Sequence, residues 1–471
     1  GEMVGLLSTF HVTFLALLPF CSLHGLQFTL GCKLSLSGDD RSPIKMSRLY
    51  VLEAVGAVIG GLAFTYLLVH HFYVLEISIG LSLLNLFLAL ILLKGGDSSN
   101  LLWRLLTAII VMLLALEVYA VATGVLRVVD IASYQQQWGS LKLIHHENSI
   151  YGNIAITRSD GQLDFWVNSL PLFSAPDPDI AFIEEVVHIP MLQHASPDRV
   201  LLIGDGLGGV LREILKHPVR RVIYVELDPL LIELARKYSY EASAVLDDSR
   251  VEVVHADSRL FVKGSEDLFD VVIVNLPSPY TLQLNRLYTL EFFREAREIL
   301  DENGIFSTGI SSSLTYVVEE MGARNKCIYE AIKMVFPSCL AVPGEYNTFL
   351  ASPSTRADIL TYDASILHQR LLDRGVETSL FTEGYIRYKF SPEKIKMALA
   401  YLHLGGGEIN RDTRPLAVYY DLALWNTMFH PHMRAFFNLI QRVDLWWFLI
   451  PIGLSILAVM MSRSTLRVSH A

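Results

Sequence analysis

The residues of this chain that could do chemistry stand where short apolar runs stop. Val200 to Gly209 reads V-L-L-I-G-D-G-L-G-G, so the run Arg199 to Ile203 ends in a turn holding Gly204, Gly206 and Gly208. A second run, Arg221 to Val225, ends in Glu226-Leu-Asp228. A third, Val251 to Val254, leads to His255-Ala-Asp257, and a fourth, Phe269 to Val274, leads to Asn275-Leu-Pro-Ser278-Pro279. Glu226 follows the glycine turn by roughly twenty residues, the separation at which an acid ending the second strand accepts both hydroxyls of a ribose. The glycines would let the backbone approach a ligand and let the next helix pack on its strand. A plainer reading is that they only make the turn tight. Asp205 inside the turn would repel a pyrophosphate at the helix N-terminus. That points to a ligand without phosphates, such as S-adenosylmethionine or a relative, rather than a dinucleotide. Gly204, Gly206, Gly208, Glu226, Asp257 and Asn275 are the candidate nucleoside-binding residues.

The elements that must position these groups follow from the pattern. The four runs are short and rich in Val and Ile, as are strands buried on both faces of a parallel sheet. Val210 to Lys216 reads as the helix after the first strand. Residues 141–175 alternate in short runs with turns at Tyr151-Gly-Asn153 and Ser159-Asp-Gly161, which predicts a small β-hairpin subdomain. Ser174 to Pro178 marks the entry to a helix with Asp179 as its cap. A Rossmann-like domain is expected over 176–355. A helical extension is expected over 356–440, with helices near Asp363 to Asp373 and Pro392 to Leu402.

The segment from about Tyr151 to Pro343 resembles the spermidine/spermine synthase (aminopropyltransferase) family. The resemblance rests on Val210-Leu-Arg-Glu-Ile-Leu-Lys-His217, Val225-Glu-Leu-Asp-Pro229, Ala256-Asp257, Leu287-Tyr-Thr289 and Glu291-Phe-Phe293. Upstream, Ile150-Tyr-Gly-Asn153 and Glu184 to His188 are similar to that family's small β-domain and first helix. The resemblance implies that Glu226 binds ribose and that Asp257 accepts from an adenine amino group. It implies as cofactor an S-adenosylmethionine-type nucleoside, the decarboxylated form or methylthioadenosine. The departures matter equally. An Asp that contacts the donor's amine in the family is Leu207 here, and the Tyr-Gln before the first helix's Glu is Phe182-Ile183. The family's acidic pair after the fourth strand, which holds the catalytic base, is Asn275 and Ser278. A polyamine is a multiple cation, so its pocket needs carboxylates for binding and for base work. Glu184 and Glu185 remain nearby in sequence, with Glu184 the candidate replacement base. Ordinary spermidine synthesis is not expected. Two readings stay open: a transferase with a non-standard acceptor, apolar or membrane-delivered, and a catalytically inactive scaffold subunit. A transporter with a ligand-sensing domain is the weakest reading.

The chain's 471 residues are 52% hydrophobic and 18% charged, and mean hydropathy is +0.39, a balance that predicts membrane segments. About four spans fall within 1–126: Val4 to Gly31, broken near Pro19, then Leu49 to Val69, Tyr73 to Leu93 and Leu101 to Leu126. The last three reach the ~20 residues a crossing needs. Residues 127–140 read as a connector. A C-terminal span is expected within 441–463, with Trp446 and Trp447 at its boundary. The expected fold class is therefore an α-helical transmembrane bundle fused to an α/β Rossmann-like domain of the S-adenosylmethionine-dependent transferase type, with a small N-terminal β-hairpin subdomain. Gly56 and Gly60, four residues apart, predict a close-packing helix face. Glu53, Glu76 and Glu117 lie in or near spans, on a cation path or in hydrogen bonds between helices.

The net charge of -10, with no basic stripe, argues against a nucleic-acid partner. The expected partners are the lipid bilayer and either membrane-complex subunits or a second copy. Among the 4 cysteines none forms a C-x-x-C pair; Cys327 and Cys339 read as buried free thiols, or as a pair in an oxidising compartment. His145, His146, His188, His194 and His255 show no ligand spacing, so no metal is expected. If every span crosses, Lys33, Arg41, Lys45, Arg48, Lys94, Arg463 and Arg467 share one side. The positive-inside bias then leans the globular domain out of the cytoplasm, against Arg127, Arg434 and Arg442 on its own side. The chain opens on Gly1 and not Met, so a start further upstream is expected.

Overall fold

The computed structural model describes residues 5–35, 43–93, 100–314, 317–403, 407–441, 447 and 449–455. Long apolar helices come first: α1 (Leu6–Ser35), α2 (Pro43–Ala63), a π-helical turn Phe64–Leu68, the short α3 (Val69–His71), α4 (Val74–Leu93) and α5 (Leu101–Ala122). The stretches Leu7–Lys33, Ser47–Leu68, Val74–Leu93 and Leu101–Ala122 are long and apolar enough to cross a membrane, by length and composition. α1 runs through Pro19 without the expected break. Proline removes one helical hydrogen bond, but an apolar helix has little water to satisfy a broken turn, so the rest of the ladder holds. Among the described residues a Cβ at Gly56 or Gly60, the expected packing face, would meet nothing within 4 Å. α1 and α2 meet lower down, where His24 lies 3.6 Å from Glu53 and Phe28 lies edge-on to Tyr50 at 4.9 Å. Between α4 and α5, Ser82 Oγ donates to Glu117 Oε1 at 2.6 Å, so Glu117 takes part in a hydrogen bond between helices. Glu76 instead accepts from the Tyr73 N–H at the start of α4. The expected C-terminal span lies mostly outside the described residues.

The stretch expected as a connector is largely a helix, α6 (Val125–Gln137), entered through Gly124 at φ +71. Its end is tied to the next strand. Gln135 donates to the Leu141 carbonyl at 2.8 Å and accepts from the Leu143 N–H at 2.9 Å. Trp138 is buried against Trp166, ring centroids 4.8 Å apart. The antiparallel sheet β1 (Lys142–Asn148), β2 (Asn153–Ser159), β3 (Gln162–Val167) and β4 (Leu170–Ala175) follows in sequence order. Asp179 then caps α7 (Ile180–Gln193), accepting from the Phe182 N–H at 3.2 Å.

The second sheet is seven-stranded, in the order β10-β11-β9-β8-β5-β6-β7. Its elements are β5 (Arg199–Gly204), α8 (Val210–Leu215), β6 (Arg221–Glu226), α9 (Pro229–Tyr238), α10 (Tyr240–Leu246), β7 (Val251–His255), α11 (Ser258–Gly264), β8 (Phe269–Asn275), α12 (Leu282–Asn285), α13 (Leu290–Glu298), β9 (Leu300–Ser311), α14 (Glu319–Lys333), β10 (Ser338–Val342) and β11 (Tyr346–Ser352). β5 to β9 are parallel; β11 runs antiparallel to β9, and β10 pairs antiparallel with β11 at the edge. The run Val200 to Ile203 reads apolar throughout because both faces of β5 are covered. Val200 and Leu202 join the core on one side, Leu201 and Ile203 the core on the other. An extension of α15 (Ala364–Asp373), α16 (Glu383–Lys389), α17 (Pro392–His403), α18 (Leu416–Phe429) and α19 (Met433–Gln441) wraps this domain. Cys327 and Cys339 are free thiols, Cys327 buried.

Candidate functional site

Strand order reverses between β5 and β8, the place where open α/β sheets leave a crevice at the carboxyl ends of their strands. Gly204 and Asn275 sit side by side there. The Asp205 N–H donates to the Asn275 carbonyl at 3.0 Å, and Asn275 Nδ2 returns to the Asp205 carbonyl at 2.8 Å. Gly204 has φ +94, and a Cβ on it would lie 2.2 Å from the Asn275 carbonyl oxygen. At Gly206 a Cβ would lie 2.9 Å from Leu202, and at Gly208 2.5 Å from Phe173. Protein atoms around the turn thus crowd a Cβ at all three glycines. Leu207, where the resemblance calls for an acid, is buried in the apolar core.

Two carboxylates of the turn and of β6 are poised to change charge near neutrality. Burial pushes Glu226 up to about 7, against hydrogen bonds from the Asp228 N–H and the Tyr224 hydroxyl. Burial likewise raises Asp205 to about 6, although the Leu207 N–H donates to it. Asp257 behaves differently. One of its oxygens caps α11 through the Arg259 and Leu260 N–H groups, and the other is held by the Arg286 guanidinium. The atom expected to take an adenine amino group therefore already has a cationic partner.

On the other side of β8, Phe182, Glu185, Asn275, Leu276, Ser307 and Tyr346 line a small cavity. Glu185 is its carboxylate, and it is neutralised. Lys389 Nζ sits 2.6 Å away and is itself nearly buried. The Tyr385 hydroxyl donates to the same carboxylate. Ser278 Oγ lies 2.7 Å from Ser311 Oγ. Ser311 in turn accepts from the fully buried Arg324, whose other arm grips Asp421 of α18. Where the resemblance calls for a catalytic carboxylate base, the chain has a hydroxyl relay that ends on a guanidinium–carboxylate pair.

Glu184, the candidate base, faces elsewhere. It is buried, and its carboxylate accepts from the backbone N–H groups of Ser379, Leu380 and Phe381. It anchors the extension to α7 and is spent as a structural acceptor. Glu184, His188 and Glu213 bring ligand-type atoms within 4.8 Å of one another, a cluster that no sequence spacing showed. Positive charge already reaches it: Lys216 Nζ lies 2.7 Å from Glu213. His188 Nδ1 lies 3.0 Å from His217 Nε2, and Arg374 contacts the other nitrogen of His217. Burial, then the neighbouring positive groups, hold His217 down to about 2, so it is neutral.

Sequence reasoning missed Arg286, Arg324, Lys389, Tyr385 and Asp421. Arg286 left one signal, its place directly before the Leu287-Tyr-Thr289 piece of the resemblance. The others come from segments with no motif.

The spermine/spermidine synthase domain family matches residues 180–356. A polyamine aminopropyltransferase of Thermotoga neapolitana is 36% identical over 172 residues, covering 36% of this chain and 56% of the relative. One from Pyrobaculum calidifontis is 33% identical over 214 residues, covering 42% of this chain and 71% of the relative. A solved spermidine synthase in complex with the transition state analogue AdoDATO aligns with 28% identity and a TM-score of 0.47, covering 55% of this chain and 88% of that one. The chain thus spans about half the length, 56%, of the Thermotoga relative.

Proposed function

This chain belongs to the spermine/spermidine synthase family, and we propose that it is a membrane-integrated member that binds an S-adenosyl nucleoside and transfers a group from it to an acceptor other than a free polyamine. In such a transfer the acceptor's lone pair attacks the carbon on the sulfonium. The carbon–sulfur bond breaks, the thioether nucleoside leaves, and any proton on the nucleophile must go to a base. The carrying observation is the acceptor side of the crevice. Its carboxylate, Glu185, is cancelled by Lys389, and Asn275 and Ser278 stand where the base would be. Such a pocket offers a polycation no net charge and removes no proton. It suits an acceptor of low charge whose reacting atom carries no proton at neutral pH. Gly204, Gly206 and Gly208 shape the turn in this reading. Glu226 takes the ribose, and Asp257 takes the base after release by Arg286.

The four apolar helices support the membrane reading. So does the start of α1, where Gly5 lies against Phe429 of α18: an even number of crossings returns the chain to the side of its globular domain. The lysine and arginine asymmetry leans that side away from the cytoplasm. Cleavage within 356–430 by an impermeant protease on intact cells checks this, and protection until lysis reverses it.

The purified protein in detergent or nanodiscs should bind methylthioadenosine and decarboxylated S-adenosylmethionine in calorimetry, yet yield no spermidine from putrescine. Absence of nucleoside binding near millimolar ligand would leave the second reading, a catalytically inactive scaffold subunit of a membrane complex. One observation favours that reading: both oxygens of Asp257 are engaged within the chain.

A further inference from the structure

The extension presents an apolar face that the fold leaves uncovered. On α18, Leu422, Met428 and Phe429 are 43%, 68% and 44% exposed, and on α19 Phe436 and Leu439 are 46% and 65% exposed. The opposite face of the same pair is firmly seated. Asp421 pairs with the buried Arg324, Phe437 is buried, and the Tyr419 hydroxyl donates to the Phe437 carbonyl at 2.6 Å. The exposed residues are therefore held in place on a fixed scaffold. Phe436 and Leu439 lie one turn apart, so they share one stripe of α19, and Arg434 stands at its edge, 49% exposed along its side chain while it holds Glu320.

The position of this face says what covers it. Gly5, one residue before α1, sits with its Cα against Phe429 and His430, where a Cβ would lie 3.5 and 3.6 Å away. The first candidate span thus starts at the α18–α19 corner. Further along the chain stands a second apolar stretch, where Trp447, Ile450 and Leu454 are 70%, 59% and 62% exposed. An apolar stripe on a seated helix pair, with a charged pair at its edge and a candidate span starting at its corner, has the build of a helix lying in the headgroup boundary with its apolar face sunk by roughly 5–10 Å.

We propose that α18 and α19 form an interfacial element seated in the surface of the bilayer that the apolar helices enter. The occupant of the uncovered face is the lipid itself. The proposal rests on the membrane-integrated reading above. It adds that the helix carrying Asp421, the outer end of the relay to Ser278, is itself in contact with lipid.

The test uses the full chain in nanodiscs, in a background with Cys21 and Cys339 replaced by alanine. Single cysteines are placed by Met428→Cys, Phe436→Cys and Leu439→Cys and labelled with an environment-sensitive fluorophore. Leu92→Cys on α4 and Asp358→Cys at the far end of the sheet are the references. Lipids carrying a nitroxide quencher are then introduced. The expected result is quenching at 428, 436 and 439 comparable to that at 92, with none at 358. Quenching at 92 but not at 428, 436 and 439 overturns the interfacial element and leaves the membrane reading standing. No quenching at 92 overturns the membrane reading, and this proposal with it. Because all five positions are exposed, each variant's monodispersity and melting temperature should match the background.

Discussion

Nucleoside binding should switch on with rising pH, and Glu226 sets the window. Its carboxyl is held up to about 7, mainly by burial, with Asp205 and Asp228 adding like charge. A ribose diol needs the ionised form, which offers acceptors to both hydroxyls. One unit below the pKa, about ten of every eleven molecules carry the proton, so the apparent affinity drops roughly tenfold, near 1.4 kcal/mol. One unit above it, almost nothing is lost. Methylthioadenosine binding should therefore be about tenfold weaker at pH 6 than at pH 8. Calorimetry in two buffers of different ionisation heat should show one proton leaving near pH 6. Asp205→Asn removes a neighbouring negative charge and should move the window down. Glu226→Gln should abolish the step and weaken binding by about 1.5–3 kcal/mol, as for a hydrogen bond to a charged group. The sign for stability is opposite. A raised carboxyl stabilises the ligand-free fold below the ordinary carboxylate range, and this is lost as pH climbs through about 7, so the melting temperature should fall over that interval. A flat affinity between pH 6 and 8, or the same step in Glu226→Gln, would refute the assignment of Glu226 to the ribose.

Gly204→Ala should cost about 2–4 kcal/mol, because the left-handed φ and the Asn275 carbonyl both resist a Cβ; chemical denaturation measures it, and an unchanged midpoint would contradict the geometry. Lys389→Met leaves Glu185 buried without its cation and should cost about 3–5 kcal/mol, whereas Lys389→Met combined with Glu185→Gln should recover most of that loss. The same denaturation series checks both, and equal losses for the single and double variants would argue against the ion pair. Installing Asn275→Asp and Ser278→Asp together should raise putrescine turnover from none to a detectable rate, with base catalysis typically contributing ~10²–10⁴-fold. Spermidine formed by the unsubstituted protein at comparable rates would sink the proposed acceptor class.

The parallel sheet is legible in the sequence because a strand covered on both faces reads as a nearly unbroken apolar run, as in Val271 to Val274. The hairpin subdomain is legible from Gly161 and its neighbours, where the turn needs positive φ. Asp179 shows as a cap because only a short oxygen-bearing side chain reaches the free N–H groups. Other features leave no such mark. α6 reads as a connector because its Val and Gln pattern is weakly apolar. Glu184 and Glu185 are adjacent, and only the fold sends one to the backbone of 379–381 and the other toward the cavity. Asp421 lies 97 residues beyond Arg324, and no local pattern joins an ion pair across that distance. The relay at Ser278 is likewise built from single residues on four separate segments, the loop after β8, β9, α14 and α18.

The clamp at the end of α6 has a kinetic meaning. Gln135 and Trp138 weld α6, the helix that follows the last apolar one, to the β subdomain. The crevice therefore cannot tumble freely about a tether. If the helices cross a bilayer as proposed, its mouth travels near one height, and it searches a plane instead of a volume. For any partner confined to that plane, the governing quantity is the number of molecules per unit area. Rates measured with a detergent-solubilised acceptor would then scale with micelle composition, and dilution of the bulk solution would leave them unchanged.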